Sequence, residues 1–385
     1  MRIIHINAHY QDGLGYQDYY LGLEHSRQGH EVHFVTSDQH FNFPDYENTV
    51  QNIIGNRYIG TGTFQNEYGV PVHRLRGKRI GGLMWLIGFG QKLRELNPKF
   101  IISHGTFTFQ SVRLLFLAQQ LNCRIVFDDH TTQNVIRKGA IADVIFWLFR
   151  CLFSRKFLRV AHKIVGISAS CMDILCDKFG LYGPKVVLIP LGTDTNLFKP
   201  NPSLRQQYRS ELGVADDEIL VVYTGKMYEE KNVHLIVEAL NDPAVTQNKK
   251  IVIHLVGNIG DTYRPVLEQK MSQSVNRLIY RPAVEQAQLP SIYNAADVAV
   301  WPSHTTTSTI DASACGCPIV CVDYMSERLK NNNGFGIKDG DLSALKQVLT
   351  QLISQPELRK KMGQRGLELI ENELSWKHIS QAFIE

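Results

Sequence analysis

The chain has 385 residues, which is too long for one ordinary hydrophobic core and suits two domains. Its 44% apolar and 20% charged residues are typical of a soluble globular protein, and a net charge of +4 is too small to indicate nucleic-acid binding. Seven scattered cysteines form no CxxC pair and no Cys/His ligand spacing, which argues against a zinc site and fits a reducing cytoplasm.

The N-terminus goes straight into a strand pattern at Arg2, and no signal peptide is recognisable before it. The longest apolar stretches, 83–90 and 144–149, are far shorter than a membrane span. We therefore expect a cytoplasmic protein.

Short apolar runs that predict buried strands alternate with helical patterns along the whole chain. In the first half these runs are Arg2–Asn7, Glu31–Thr36, Lys99–Ser103, Arg124–Phe127 and Lys163–Ile167. In the second half they are Ile219–Thr224, Lys250–Val256, Leu278–Tyr280, Val298–Trp301 and Ile319–Val322. This alternation predicts parallel sheets buried on both faces, and two such sets predict two doubly wound α/β domains.

The join between the two sets is predicted between Pro190 and Asp217, where prolines are frequent and apolar periodicity is weak. We expect an N-terminal domain over 1–195 and a second domain over 196–370. Residues 342–383 read as successive helices, one of them opened by Pro356, and we expect the last helix, 371–385, to pack back on the first domain.

Ligands of such sheets bind beyond the carboxyl ends of the strands, so the residues just after each strand are the informative ones. After the first strand, Gly13 and Gly15 allow a close backbone approach to an anion, although the same glycines fit a plain strand-to-helix turn. After the fourth strand, His130 is suited to donate to a sugar hydroxyl or to polarise a leaving group. The alternative for His130 is a surface histidine paired with Asp128 or Asp129.

Two lysines, Lys226 and Lys231, lie between the apolar run that ends at Thr224 and the next helical pattern. Two cations in one loop neutralise a diphosphate, and they stabilise the charge that grows as a diphosphate leaves. The alternative is a solvated charged loop, because Glu229 and Glu230 lie between the lysines.

A hydroxyl-rich segment follows the strand that ends at Trp301 and opens another helix. It includes Thr306, Thr307 and Ser308, whose N–H groups are predicted to face phosphate, while Asp311 would accept hydrogen bonds from a ribose diol. The alternative is that Ser308 and Asp311 form only an S-x-x-D capping box.

Two acid-free basic clusters lie in the first half of the chain. Residues 143–163 predict a helix rich in aromatic residues, including Trp147, with Arg155, Lys156 and Arg159 on one side. The second cluster contains Arg76, Lys78 and Arg79 and is followed by an apolar run that includes Trp85. Either could be a core helix with a solvated end, but together they favour contact with an anionic membrane surface and a lipid-linked or cell-envelope acceptor.

Six segments, taken in order, resemble the retaining family 4 glycosyltransferases of the GT-B fold. Ile189–Pro200 resembles the family pattern P-N-G-V-D-x-x-x-F-x-P, and Gly225–Asn232 resembles G-R-L-x-x-x-K-G. The remaining matches are His254–Gly257, Ile292–Val298, Asp311–Val320, and the pair Asn333–Gly336 with Ser375–Trp376. The resemblance implies two Rossmann-like domains facing a central cleft.

The resemblance also implies roles for individual residues. Lys226, where the family has Arg, and Lys231 would hold the donor diphosphate, and Asp311 would take the ribose as the second Glu of the family's E-x7-E motif. Val284 would offer main-chain contacts to the base, Gly13 and Gly15 match the N-terminal glycine loop, and His130 matches the histidine near the transferred sugar. The first Glu of E-x7-E has no counterpart, since Ser303 stands eight residues before Asp311.

These implications together predict a glycosyltransferase that moves a hexose-type sugar from a nucleoside diphosphate sugar, UDP being favoured over GDP, with retention at the anomeric carbon. No metal is expected, because the lysines and helix N-termini supply the positive charge. No cofactor and no nucleic-acid partner are expected either. The missing first Glu leaves open a second reading, a GT-B protein that transfers no sugar: a nucleotide-sugar epimerase or an inactive nucleotide-sugar-binding subunit.

Overall fold

The computed structural model describes residues 1–385 except 12–14, 44–45, 50, 133–135 and 304–305. For residues 48–49 and 52–53 it describes the backbone and not the side chains. The chain divides into two compact units. The first comprises residues 1–191 and 379–385, and the second comprises residues 192–378.

The first unit is built on a mainly parallel sheet. Its described strands are β1 Arg2–Ile6, β2 Glu31–Ser37, β3 Gly62–Gln65, β4 Pro71–Leu75, β5 Gly77–Ile80, β6 Leu83–Leu86, β7 Phe100–His104, β8 Arg124–Asp129, β9 Lys163–Gly166 and β10 Val186–Leu188. Its described helices are α1 Gln17–Arg27, α2 Tyr46–Thr49, α3 Gln51–Ile54, α4 Phe89–Leu96, α5 Phe109–Leu121, α6 Ala140–Val160 and α7 Ala169–Asp177. Within the described residues, eight strands form one sheet in the order β10-β9-β8-β7-β1-β2-β4-β3, with only β3 antiparallel to its neighbour.

The second unit is built on a fully parallel sheet. Its described strands are β11 Ile219–Thr224, β12 Ile251–Val256, β13 Arg277–Arg281, β14 Val298–Val300, β15 Ile319–Val322 and β16 Gly334–Ile337, in the order β13-β12-β11-β14-β15-β16. The helices are α8 Pro202–Leu212, α9 His234–Leu240, α10 Pro243–Thr246, α11 Arg264–Ser272, α12 Leu289–Ala295, α13 Ser308–Ala314, α14 Ser326–Leu329, α15 Leu342–Ser354, α16 Pro356–Leu369 and α17 Trp376–Ile384, whose residues from 379 onward belong to the first unit. Single 3-10 turns occupy Glu229–Lys231 and Gln286–Gln288, and a π turn occupies Ile370–Leu374.

The predicted α/β class with two Rossmann-like sheets is confirmed. Every residue of the central strands β7, β11 and β12 is buried, as expected for parallel strands covered on both faces. The apolar runs that predicted strands all correspond to observed strands, within one or two residues at each end.

Several strands that the sequence did not indicate are exposed, short or interrupted by glycine. Strand β3 is exposed along its whole length, and β10 has only three residues. Strand β16 contains Gly334 and Gly336, which lower strand propensity. A Cβ on Gly334 would lie 2.1 Å from the carbonyl oxygen of Ile319, so the close approach of β15 requires a glycine there.

The predicted join is not irregular throughout, because α8 lies inside it. Pro202 occupies the first turn, where its missing N–H costs nothing, and the Asn201 side chain accepts a hydrogen bond from the Leu204 N–H at 3.1 Å. The buried Arg209 of this helix donates to Asp297 at 3.0 Å, which ties α8 to the start of β14. The apolar face was too short for its period to be recognised.

The second basic cluster is not a helix, so the core-helix alternative is wrong for it. Residues 77–86 form an antiparallel hairpin of β5 and β6, in which Lys78 pairs with Trp85. The preceding Arg74 belongs to β4, where it is buried and donates to the Ser37 carbonyl at 3.2 Å. Two consecutive glycines, Gly81 and Gly82, both adopt positive φ and turn the hairpin, a signal that the sequence analysis passed over.

In the described part of the chain, no helix combines the length and apolarity needed to cross a membrane.

Two strand ends of the second unit approach closely through glycines. Gly257 follows β12 with a φ of +147°, and a Cβ placed on it would lie 1.9 Å from the carbonyl oxygen of Gly225, which follows β11. Because the clash is with backbone, no side-chain rotation relieves it.

We predict that Gly257→Ala lowers the free energy of unfolding by about 2–5 kcal/mol, because it adds overpacking to an unfavourable φ. Urea unfolding measures this change. Gly29→Ala is the matched control, since Gly29 has a φ of +82° with nothing within 4 Å of the added carbon, and its cost should be about 1–2 kcal/mol. Equal losses in both variants would contradict the close approach at Gly225.

Candidate functional site

The loop after β11 is held rigidly at the carboxyl edge of the second unit's sheet. The Gly225 N–H donates to the Val256 carbonyl at 2.9 Å, and the Met227 N–H donates to the Asn258 carbonyl at 2.9 Å. The buried Tyr223 hydroxyl donates to the Lys226 carbonyl at 2.9 Å. These three hydrogen bonds fix the backbone of the loop, and so fix the positions from which its charged side chains extend.

The two predicted phosphate lysines differ in environment. Lys231 ends the 3-10 turn and is half-buried, whereas Lys226 is exposed. Burial lowers the pKa of Lys231, and the nearby carboxylates of Glu230 and Asp339 oppose that shift. A half-buried ammonium interacts more strongly with an anion than an exposed one, because less water screens it.

Three strand ends are joined directly behind Lys231. The next residue, Asn232, has the left-handed conformation with a φ of +49°, and its side-chain amide donates to Ser303 Oγ at 2.9 Å. The Gly340 N–H donates to the Pro302 carbonyl at 3.1 Å. The loops after β11, β14 and β16 thus form one continuous edge.

Asp311 is buried in α13 and is not a capping residue. The helix begins at Ser308, and its N-cap residue Thr307 makes no side-chain capping hydrogen bond, so the capping-box alternative is wrong. Asp311 Oδ1 instead accepts a hydrogen bond from Thr193 Oγ1 at 2.6 Å. Burial raises the pKa of Asp311 to about 7, against the opposing effects of Thr193 and Arg328.

The hydroxyl-rich segment lies beside the lysine loop. The Thr306 methyl group is 3.8 Å from the position of a Cβ on Gly225. The Thr306 carbonyl accepts a hydrogen bond from the buried Arg328, which also donates to Thr309 Oγ1 at 2.8 Å. Thr307 is exposed and Ser308 is half-buried at the start of the helix.

Val284 lies at the same edge, in the loop after β13. The preceding Ala283 N–H donates to Asn258 Oδ1 at 3.0 Å, which ties that loop to the end of β12. The structure therefore brings together Lys226, Lys231, Val284, Thr306, Ser308 and Asp311 along one edge of one sheet.

In the first unit, His130 directly follows β8 and is partly exposed. Its Nε2 lies 3.4 Å from Oδ2 of Asp128, so the predicted pairing with a neighbouring aspartate is present. The other aspartate, Asp129, accepts hydrogen bonds from the Thr131 and Thr106 N–H groups at 2.7 and 3.0 Å. His130 is thereby held at the carboxyl end of its strand with one face open.

Behind His130 lie buried histidines that the sequence analysis missed. His104 Nδ1 is 3.0 Å from Asp128 Oδ2, and the chain continues inward through His5 and His25. The signal for His104 was available, because it ends β7 as His130 follows β8. His5 and His25 carried no such signal, since a single histidine in a strand or helix gives no indication of its neighbours.

The glycine loop after β1 is described in part. Gly13 lies outside the described residues, and Gly15 has a φ of +63° just before α1. The first turn of α1 already contains a buried carboxylate, Asp18, which accepts a hydrogen bond from Asn7 at 2.7 Å. Burial raises the pKa of Asp18. A carboxyl group that ionises less readily repels an incoming anion less.

Among the described residues, one group has a spacing that would suit a metal ion: His104, Asp128 and His130, whose ligand atoms lie within 4.8 Å of one another. The Nδ1 of His104 is, however, already at hydrogen-bonding distance from the carboxylate. Contacts of both histidines with Asp128 therefore explain why these side chains lie close together.

The first basic cluster forms a long helix, α6, with an unusual exposed face. Phe146, Phe149 and Phe157 pack inward, while six apolar side chains face solvent: Ile141, Val144, Ile145, Trp147, Leu148 and Leu152. Trp147 is 61% and Leu152 65% exposed, values that are high for such large apolar residues. Arg155 and Arg159 are exposed on the C-terminal half of the helix.

Further cations lie on α6 and in the second basic cluster. Lys156 Nζ of α6 lies 3.4 Å from the ring centroid of Phe116, which is itself exposed. Arg76, Lys78 and Arg79 are exposed, whereas Trp85 of the hairpin is half-buried, with the Arg113 guanidinium 4.3 Å from its ring centroid.

Two protein-family models match the chain, and together they cover nearly all of it. Residues 12–197 match the model described as Glycosyltransferase Family 4, and residues 205–369 match that described as Glycosyl transferases group 1. A D-inositol 3-phosphate glycosyltransferase of Kineococcus radiotolerans is 25% identical over 95% of this chain and 87% of its own length. For the corresponding protein of Geodermatophilus obscurus the match is 28% identical but spans only 44% of this chain and 40% of the relative.

Solved structures share the fold across the full chain. Anabaena HepE in complex with UDP has a TM-score of 0.71 at 16% identity and covers 99% of this chain and 98% of its own. The sucrose-phosphate synthase of Thermosynechococcus elongatus has a TM-score of 0.66 at 17% identity, covering 99% and 96%. The chain belongs to the family 4 (group 1) glycosyltransferases and has their GT-B fold of two Rossmann-like domains.

Proposed function

We propose that this protein transfers a sugar from a nucleoside diphosphate sugar to an acceptor hydroxyl, with retention at the anomeric carbon and without a metal ion. The observation that carries the proposal is the half-buried Lys231 on a braced loop, at the same sheet edge as the buried Asp311. The names of relatives that are glycosyltransferases, and the UDP bound to HepE, support a donor of this class, with UDP favoured over GDP.

The proposed chemistry uses charges that the chain itself supplies. As the bond between the sugar and the diphosphate breaks, negative charge grows on the leaving diphosphate, and Lys231 and Lys226 stabilise it. The acceptor hydroxyl attacks the anomeric carbon on the face that the diphosphate leaves. An oxygen of the leaving phosphate takes the proton of that hydroxyl, so no paired carboxylates are required.

The remaining residues are assigned to donor recognition. Asp311 is assigned to accept hydrogen bonds from the ribose hydroxyls, and the main chain of Val284 is assigned to contact the base. Thr306, Thr307 and Ser308 are assigned to the phosphates. His130, with Gly13 and Gly15 of the glycine loop, is assigned to recognition of the transferred sugar.

We predict that Lys231→Ala lowers kcat/KM for donor turnover by about 10²–10³, the loss typical of removing one group that stabilises transition-state charge. Release of nucleoside diphosphate from a panel of UDP- and GDP-sugars measures it. Lys226→Ala should cost less, because Lys226 is exposed and more screened.

The control is Lys249→Ala, which removes an exposed lysine before β12. Activity of Lys231→Ala equal to that of this control would remove Lys231 from the site. Binding of donors without any turnover by the unaltered protein would instead favour a nucleotide-sugar-binding protein that transfers no sugar.

We predict that UDP-sugar affinity rises between pH 6 and pH 8 because Asp311 ionises there. The native pKa of Asp311 is about 7, and only the carboxylate accepts from both ribose hydroxyls. If the ionised form alone binds, Kd falls by about tenfold across this interval. Calorimetry with UDP-glucose, whose phosphates do not titrate in this range, measures it, and Asp311→Asn should abolish this dependence.

The same group gives a stability signature. A carboxyl whose native pKa is raised keeps its proton in the fold after the unfolded chain has lost its own, so its contribution to stability falls as pH rises from about 4 to 7, by about 1.4 kcal/mol per pH unit. Asp311→Asn should therefore gain stability relative to the native protein over that window. Ser313→Ala, at a buried residue of the same helix that does not titrate, should change stability equally at every pH.

We further propose that the acceptor is lipid-linked and that α6 contacts an anionic membrane surface. The exposed apolar face of α6 offers hydrocarbon-compatible area, and the exposed Arg155 and Arg159 continue it with positive charge. A cytoplasmic protein bound at the inner face of the cell membrane fits this surface.

A groove beside the same face is suited to a hydrocarbon chain. It has a volume of about 270 Å³ and is lined almost entirely by apolar side chains from β6, α5, α6 and the loop after β7. The lining includes Leu83, Phe109, Ile145, Leu148 and Leu152. Such a groove would receive part of the tail of a lipid-linked acceptor.

We predict that the double variant Trp147→Ser, Leu152→Ser reduces partitioning onto vesicles with anionic lipid by at least about tenfold, because each side chain loses about 1.5–3 kcal/mol of apolar burial. Co-sedimentation at low salt measures binding. Val266→Ser is the control, since Val266 is an exposed apolar residue of α11 in the other unit. Failure of the native protein to bind such vesicles, or self-association through this face, would contradict the proposal.

A further inference from the structure

A buried row of three imidazoles runs through the first unit and ends at the carboxylate beside His130. His25 Nε2 is 2.9 Å from the carbonyl oxygen of Ser380, and His25 Nδ1 is 3.2 Å from His5 Nε2. His5 Nδ1 is 3.1 Å from His104 Nε2, and His104 Nδ1 is 3.0 Å from Asp128 Oδ2. All three rings are buried, so water does not complete these bonds.

The hydrogen bonds of this row determine how many protons its three rings carry. Both ends, the Ser380 carbonyl and the Asp128 carboxylate, only accept. Four bonds in series between two acceptors require four ring protons, whereas three neutral imidazoles carry three. One ring must therefore carry an extra proton. If His25 and His5 are neutral, each donates through Nε2, and His104 donates through both nitrogens.

The surrounding charges favour the extra proton on His104. Burial alone would lower the pKa of His104, but Asp128 and Asp18 raise it above its ordinary value. Burial lowers the pKa of His5, and His25 and His104 lower it further. Burial also lowers the pKa of His25, to about 4, so these two rings stay neutral.

Among the residues that the structure describes, further titratable groups near the row are His130, which faces Asp128, and Asp129, which is bound by backbone N–H groups. His30 lies beside His25, with ring centroids 6.2 Å apart.

We propose that His25, His5 and His104 are positioning residues, which hold His104 as an imidazolium against Asp128 and so keep that carboxylate ionised to orient His130. The part that concerns His130 rests on the transferase function proposed above. The protonation of His104 does not, because it is argued from the hydrogen bonds and charges of the row itself.

The consequence for His130 is a defined ring orientation. Burial alone would raise the pKa of Asp128, yet His104 and His130 hold it well below its ordinary value. An ionised Asp128 only accepts, so a neutral His130 carries its proton on Nε2 and leaves Nδ1 free of a proton for the substrate side. The far end of the row is a carbonyl of α17, so the last helix contributes to this arrangement.

The test is side-chain nitrogen NMR of the full-length protein with isotopically labelled histidine, recorded from pH 6 to pH 9. We expect His104 to be doubly protonated at neutral pH, and His5 and His25 to be neutral with the proton on Nε2. A neutral His104 at pH 7 would overturn the proposal, and so would stoichiometric metal in the purified protein bound to His104 and His130.

The variant His25→Phe sharpens the test. Two bonds then remain between His5 and Asp128, and two neutral rings satisfy them, so His104 no longer needs its extra proton. We expect His104 to lose that proton at a pH at least one unit lower than in the native protein. An unchanged titration of His104 would contradict the row.

The control is His73→Phe, which removes a buried ring from a separate pair in the same unit, 3.1 Å from His33. It should leave His104 unchanged. The pH profile of kcat/KM should shift in His25→Phe and not in this control. Absence of any transferase activity with an NMR result as expected would reject the proposed function and leave the protonated row intact.

Discussion

The whole arrangement depends on one constraint of parallel sheets, which is that every strand ends at the same edge. Each strand contributes its last residues and the following loop to that edge, and the central strands β7, β11 and β12 are buried along their whole length. The second unit places a lysine loop, a hydroxyl-rich turn and a buried aspartate there. The first unit places His104 and His130 at the ends of two adjacent strands.

Partial burial then decides what these groups do. A charge in water interacts weakly, and a charge fully removed from water is neutralised or paired. Lys231 and Asp311 illustrate the range between these limits, since one is half-buried and charged and the other is buried with a pKa raised to about 7. His104 and Asp128 illustrate the paired case, in which two buried groups stabilise each other's charge.

The chain can belong to the family although two residues depart from the family pattern. Ser303, where the family has the first carboxylate of the E-x7-E motif, and Lys226, where it has an arginine, both lie in loops that follow strands. Neither departure changes the strands that form the edge. The second basic cluster shows the opposite case. Its charges were noticed from the sequence, yet Gly81 and Gly82 turn it into a hairpin, and its apolar residues divide between solvent and core.

The sequence by itself determined the fold class, the central strands and most residues at the carboxyl edge of the second unit's sheet, because continuous apolar runs and the residues that follow them are local signals. His130 and Lys231 were identifiable in this way. The tertiary structure decided which groups meet across large separations in sequence: Thr193 with Asp311, and His25 with His5, His104 and Asp128. It also decided which face of α6 is covered, since residues 144–149 are apolar without interruption and give no period from which the buried side can be read.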